Sequence, residues 1–216
     1  MRTSSLALMA VLFASPVSAA ILYSNAPDLG PSQVGNCVYN TTCGSIYAAQ
    51  KFNLSTSSNL TGIGINTIIP NGGPATGANW LITDAGGMGG LPGAILGSGA
   101  GSNFTVSAGP VGALFSTTDY VFDISSLLLP AGDYYVAVRA VTTNIADYLS
   151  KGVATSGAAS SNDGGLTWTA GPLFFGTFGS FALSVFGETA TDVPEPASMA
   201  LLAAGLLGLG IARKRA

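Results

Sequence analysis

The chain has 216 residues, of which 8% are charged, 48% are hydrophobic and 30 are glycine, with a mean hydropathy of +0.49. An average soluble domain carries roughly 25% charged residues, so this is no ordinary cytosolic composition. There is no histidine, which excludes a Ser-His-Asp or Cys-His nucleophile pair, a histidine-ligated metal and a histidine pH switch. Away from the two ends, Lys51, Arg139 and Lys151 stand against nine acids, so no basic patch is available for nucleic acid or an anionic membrane surface.

In chain order, Arg2 is followed by an apolar run from Leu6 to Ala14, then by Pro16 and the small-residue triplet Val17-Ser18-Ala19. A basic start, an apolar middle and a small-residue end describe a secretory signal peptide over residues 1–19, cleaved after Ala19 or, as second choice, Ala20. Cys37 and Cys43 are the two cysteines of the chain. Export into an oxidising compartment and an even count favour a local disulfide between them. Closing a loop of ~7 residues contributes roughly 2 kcal/mol, enough to pin a loop but not to hold a domain together. Zinc and thiol catalysis are poor alternatives, because the spacing is not C-x-x-C and no histidine can serve as ligand or base.

The body, residues 20–190, reads as strand. Ile46 to Leu54, Leu60 to Ile69, Asn79 to Thr83, Asn103 to Val106, Tyr120 to Ile124, Asp133 to Val141 and Ser180 to Phe186 are short runs rich in β-branched and aromatic residues. Gly, Pro, Asn and Ser separate them, and no amphipathic helix intervenes. About eight strands at this spacing predict an all-β fold, a single jelly-roll-like antiparallel β-sandwich, with a closed barrel as the alternative. Asp84 with the glycines after it, and Leu129-Pro130-Ala131-Gly132-Asp133, read as the turns of two hairpins.

Two resemblances attach to this body. Trp80 to Leu96 and Asp123 to Val136 resemble parts of the choice-of-anchor R type of domain found in anchored exported proteins, which implies a β fold and delivery to the surface. Ser161-Asn162-Asp163-Gly164-Gly165-Leu166-Thr167-Trp168 resembles a single Asp-box, a hairpin in which the aspartate ties the turn to its own backbone and the tryptophan packs below. With one copy and too few strands for a propeller, a structural hairpin at Ser161, Asp163, Gly165, Thr167 and Trp168 is expected ahead of a sugar-contacting loop.

The remaining segment holds Val193-Pro194-Glu195-Pro196, an uninterrupted small and apolar run from Ala197 to Ala212, and Arg213-Lys214-Arg215. Sixteen residues give roughly 24 Å of helix, slightly short of a ~30 Å hydrocarbon core, and the basic group can snorkel. Residues 191–196 are therefore read as a linker, 197–212 as a transmembrane helix and 213–216 as a cytoplasmic tail, with everything upstream outside the inner membrane. The three parts in this order resemble the PEP-CTERM sorting signal. That resemblance implies processing by an exosortase, a membrane protease, in bacteria that make exopolysaccharide, after passage through the inner membrane.

Chemistry-bearing candidates are sparse. Asp119 and Asp123 lie on one face of one strand and could run a histidine-free glycosidase, while Asp84 and Asp163 sit at turns that could take calcium. Turn caps and a polar strand face explain all four without chemistry, so neither a metal nor a cofactor is expected. Lys51 and Arg139 are read as partners for acids. Tyr134, Tyr135, Tyr148, Trp168, Phe174 and Phe175 could stack on sugar rings, and the N-x-S/T sequons at Asn40, Asn53, Asn59 and Asn103 are taken as chance. The function expected is a non-catalytic surface or matrix protein associated with exopolysaccharide. A carbohydrate-binding module on the same export route comes second and a glycosidase third.

Overall fold

The computed structural model describes residues 19–31, 35–37, 46–68, 75–141, 148–172 and 179–190. They form strands β1 (Ala20–Asn25), β2 (Gly35–Cys37), β3 (Tyr47–Leu54), β4 (Ser58–Ile68), β5 (Gly77–Asp84), β6 (Ile95–Ala100) and β7 (Ser102–Val111). Then come β8 (Ser116–Leu129), β9 (Gly132–Val141), β10 (Tyr148–Ser150), β11 (Ala158–Ser161), β12 (Thr169–Ala170) and β13 (Leu183–Thr189). A single 3-10 turn at Met88–Gly90 is the one helical element among the described residues. No helix among them is long and apolar enough to cross a membrane. The segments expected to be a signal peptide (1–19, apart from Ala19) and a membrane-spanning helix (197–212) lie outside the described residues.

Two antiparallel sheets face each other. In the first, β4 is central: β8 pairs along one edge with β7 beyond it, while β13 and β10 share the other edge, backed by β1 and β2. The second runs β12-β11-β3-β9-β5-β6. Alternation decides which residues meet between the sheets. Leu60, Ile63, Ile65, Tyr120, Phe122, Leu183 and Val185 from the first sheet pack against Phe52, Trp80, Ile82, Tyr134, Val136 and Val138 from the second. Among the described residues the architecture is thus a two-sheet antiparallel stack, as the strand runs and their spacing led us to expect, and the two sheets do not join into the closed barrel held as the alternative.

β5 and β6 do form a hairpin around the Asp84 turn. The Leu129–Asp133 turn, expected to close a second hairpin, instead carries the chain from the first sheet into the second, because β9 pairs with β3 and β5 and not with β8. Leu129 and Tyr134 are both in the core, so the chain keeps its apolar residues inside by changing layer. Pro130 has no N–H with which to continue a ladder, and the Tyr134 hydroxyl donates to its carbonyl at 3.0 Å.

A second, smaller apolar layer covers the outer face of the second sheet. Tyr47, Ala49, Leu81, Tyr135, Ala137 and Ala159 are buried there beneath Ala85, Leu91 and Trp168. β9 is therefore apolar on both faces although it belongs to an antiparallel sheet, a pattern more usual of parallel strands.

Candidate functional site

The Ser161–Trp168 segment is the loop between β11 and β12, which pair antiparallel. Asp163 Oδ1 accepts from the backbone N–H groups of Leu166 (3.1 Å) and Thr167 (2.9 Å) and from the Ser161 hydroxyl (2.7 Å), while Oδ2 accepts from the Thr167 hydroxyl. Gly165 N–H donates to Ser161 Oγ at 2.8 Å, and the Trp168 indole N–H donates to the Gly165 carbonyl at 3.1 Å. Gly165 has φ +94°, and a Cβ there would stand 2.6 Å from Leu81 Cδ1, so no other residue fits without strain. Both carboxylate oxygens are occupied inside the loop, and Trp168 is half-buried against the outer apolar layer of the second sheet, not presented as a platform for a sugar. The geometry is that of a clamp holding a roof on the second sheet.

These hydrogen bonds, the Thr167 hydroxyl foremost, hold the Asp163 carboxyl far below its ordinary range. A depressed carboxyl stabilises the fold above its unfolded value of about 3.9, and the contribution is lost as pH falls through the folded value. Trp168 emission is therefore expected to be constant from neutral pH to about pH 4 and to shift only in stronger acid. Asp163→Ala should shift it to the red already at neutral pH while Trp80 stays buried. A wild-type spectrum in that variant would mean that the roof is held by Trp168 packing alone.

Asp84 closes a loop in the same way, through its own backbone neighbours. Its Oδ1 accepts from Gly86 N–H (2.9 Å) and Ala94 N–H (3.0 Å), closing the loop between β5 and β6. The Tyr135 hydroxyl donates to the Gly90 carbonyl in the same loop at 2.9 Å. No group of three or more His, Cys, Asp or Glu able to hold a metal occurs among the described residues.

Asp119 and Asp123 both point outward from β8, but four residues of strand separate them by about 13 Å. A retaining glycosidase needs its carboxyls roughly 5–5.5 Å apart and an inverting one roughly 6.5–9.5 Å, so these two cannot act as that pair. Each is held by its own amide: Asn66 Nδ2 donates to Asp119 at 2.6 Å and Asn103 Nδ2 to Asp123 at 2.6 Å. Lys51 pairs with Asp133 at 2.9 Å, an acid not singled out as its partner, and Asn53 also donates to Asp133 at 2.7 Å. Arg139 stacks on Tyr47, its guanidinium carbon 5.3 Å from the ring centroid.

The aromatic candidates do not form an exposed platform. Tyr134 is in the main core, Tyr135 in the outer layer and Trp168 above it, while Tyr148 is half-buried on β10. Phe174 and Phe175 lie outside the described residues. So do Cys43 and the side chain of Cys37, and with them the expected disulfide, as well as Val193, Pro194, Glu195, Pro196 and Arg213, Lys214, Arg215. The aromatic side chain that does border an outward-facing groove is Phe186, on the outer face of the first sheet beside Asn66 and Asp119. It stands on the opposite parity from Phe181, Leu183 and Val185, among Ser180, Ala182 and Ser184, and it is not among the aromatic candidates.

Residues 192–215 match the family model for the PEP-CTERM protein-sorting motif. The motif marks an exported protein that passes the membrane, is recognised by an exosortase and is processed at its C-terminal side. No curated protein matches the chain.

Proposed function

We propose that the chain is a cell-surface or extracellular-matrix protein without catalytic activity of its own. A signal peptide at 1–19 exports it, and residues 197–212 hold it in the inner membrane until an exosortase removes the tail. The observation that carries this reading is the sorting motif at 192–215, which follows closely on a β-sandwich whose last strand ends at Thr189. Arg213-Lys214-Arg215 directly after the apolar run would keep the tail cytoplasmic and the sandwich outside. Pro194 and Pro196 hold the backbone around Glu195 extended, since proline fixes its own φ and keeps the residue before it out of the helical region. An extended segment at the membrane surface is what a protease can bind. The sequence resemblance of Trp80 to Leu96 and of Asp123 to Val136 to choice-of-anchor R domains favours surface delivery. Three features support a non-catalytic body: no histidine in the chain, Asp163 and Asp84 engaged within their own loops, and Asp119 and Asp123 too far apart to cooperate.

The test is made in a host that encodes an exosortase. Wild-type protein should lose its tail, with intact mass placing its end upstream of Arg213, and should leave the inner-membrane fraction. Glu195→Ala, Pro194→Ala or Pro196→Ala should leave full-length chain in the inner membrane, because the apolar run and basic cluster still insert. Deleting Arg213 to Arg215 should instead weaken membrane retention. Wild-type protein that keeps Ala216 would overturn sorting and leave a plain anchor.

A further inference from the structure

On the outer face of the first sheet, β4 presents Gly62, Gly64 and Asn66 at alternate positions. Their cross-strand neighbours are Asp123, Val121 and Asp119 on β8, with Phe186 and Ser184 of β13 beside the two glycines on the other flank. A Cβ at Gly64 would stand 3.0 Å from Phe186 Cε2, and one at Gly62 3.5 Å from Phe186 Cβ. The phenyl ring therefore lies along a strip of bare backbone. Gly64, Asn66, Asp119 and Phe186, with Ser24 of β1 and Ser107 of β7 on the rim, line a groove of about 370 Å³, within the ~300–1,000 Å³ of small-molecule sites.

We propose that this groove binds a neutral hexose-based glycan, with Phe186 as the face on which a sugar ring rests and Asp119 as the acceptor for its hydroxyls. Asp119 Oδ1 is fixed by the Asn66 amide, which leaves Oδ2 for an incoming O–H. Ser107 supplies a further hydroxyl, and Ser24 and Ser184, 3.0 Å apart, a third contact point. Lys and Arg are absent from the lining, and Asp119 is its single charge, so uronates, phosphates and nucleic acid are repelled. One carboxylate is too few for a calcium site. A peptide strand gains nothing here, because β4 is paired along both edges and has no free backbone groups to offer. A neutral polyol with one apolar C–H face fits a lining of hydroxyls, one carboxylate and one aromatic ring.

The inference rests on the export reading only for where the glycan is met. The two fail separately: sorting is read from chain mass in cells, glycan binding from purified protein. Full-length chain in a zwitterionic, sugar-free detergent is titrated calorimetrically with cellohexaose, maltohexaose and β-1,4-mannohexaose, and with hexagalacturonate as the anionic arm. At least one neutral hexasaccharide is expected to bind with a Kd between about 10 μM and 1 mM, with hexagalacturonate about tenfold weaker or worse. Asp119→Asn and Phe186→Leu should each weaken binding by about fivefold or more. Ser107→Leu, at an exposed position with no hydrogen bond to lose, should block the groove while thermal unfolding stays at the wild-type temperature. No neutral hexasaccharide binding below about 5 mM, equal binding of hexagalacturonate, or binding that survives all three substitutions overturns the proposal.

Discussion

Trp80→Ala is expected to lower the free energy of unfolding by about 3–5 kcal/mol, against a total of about 5–15 kcal/mol for a domain. Trp80 is 2% exposed, and its indole lies under β6, the edge strand of the second sheet. Cβ atoms at Gly97 and Gly99 would stand 3.3 Å and 3.4 Å from the ring. The Gly97-Ser98-Gly99-Ala100 part of β6 is thus made of small residues because the bulk that fills its inner side comes from the neighbouring strand. Truncating the indole leaves a cavity that β6 cannot collapse into without leaving its register with β5. The indole N–H has no hydrogen-bond partner among the described residues. Trp80→Phe should consequently lose volume only and cost about 1–2 kcal/mol, with no penalty for an orphaned acceptor. Urea unfolding of the two variants measures both values; equal losses would mean that the N–H has a partner after all.

This arrangement also explains where the sequence was legible. β3, β4, β5, β8 and β9 were each found within a few residues or extended beyond the expected run, because long apolar side chains recur in them at period two. β6 carries no such signal, its inner positions being Gly97 and Gly99. β10 and β11, Tyr148–Ser150 and Ala158–Ser161, are buried with side chains too small or too polar to announce it. Tyr134 and Tyr135 are candidate sugar stackers by residue type alone, since tyrosine serves equally as a sandwich filler. Composition cannot reveal that the loops around Leu91 and Trp168 roof the outer face and bury Tyr135 as well. The internal logic of the Ser161–Trp168 clamp was readable, since every bond in it is local. The groove was not: it depends on register across β13, β4, β8 and β7, from four separate stretches of chain.

Asn66→Asp, an isosteric change, is expected to invert the response of stability to acid. Asn66 is 4% exposed, and its amide is engaged on every side. Nδ2 donates to Thr117 Oγ1 at 2.9 Å and to Asp119 Oδ1 at 2.6 Å, and the Ser150 hydroxyl donates to Oδ1 at 2.5 Å. An alanine there leaves the Ser150 hydroxyl, itself 1% exposed, without its acceptor, and releases Asp119; the loss should be about 2–4 kcal/mol. A carboxylate keeps the bond from Ser150 but turns the two donor contacts into oxygen-to-oxygen contacts, with the Asp119 charge in touch. Two carboxyls so close share one proton, as like charges at this separation resist ionising together. The folded variant then holds a proton that the unfolded chain releases near about pH 4, so its stability is full below that value and declines as pH rises through the raised folded value. Melting temperatures should therefore be higher at pH 4 than at pH 7 in Asn66→Asp, whereas in Asn66→Ala the deficit should be much the same at both. A deficit in Asn66→Asp that does not change with pH would show that the introduced side chain turns away from Asp119, and that β8 and β4 are held together there by their ladder alone.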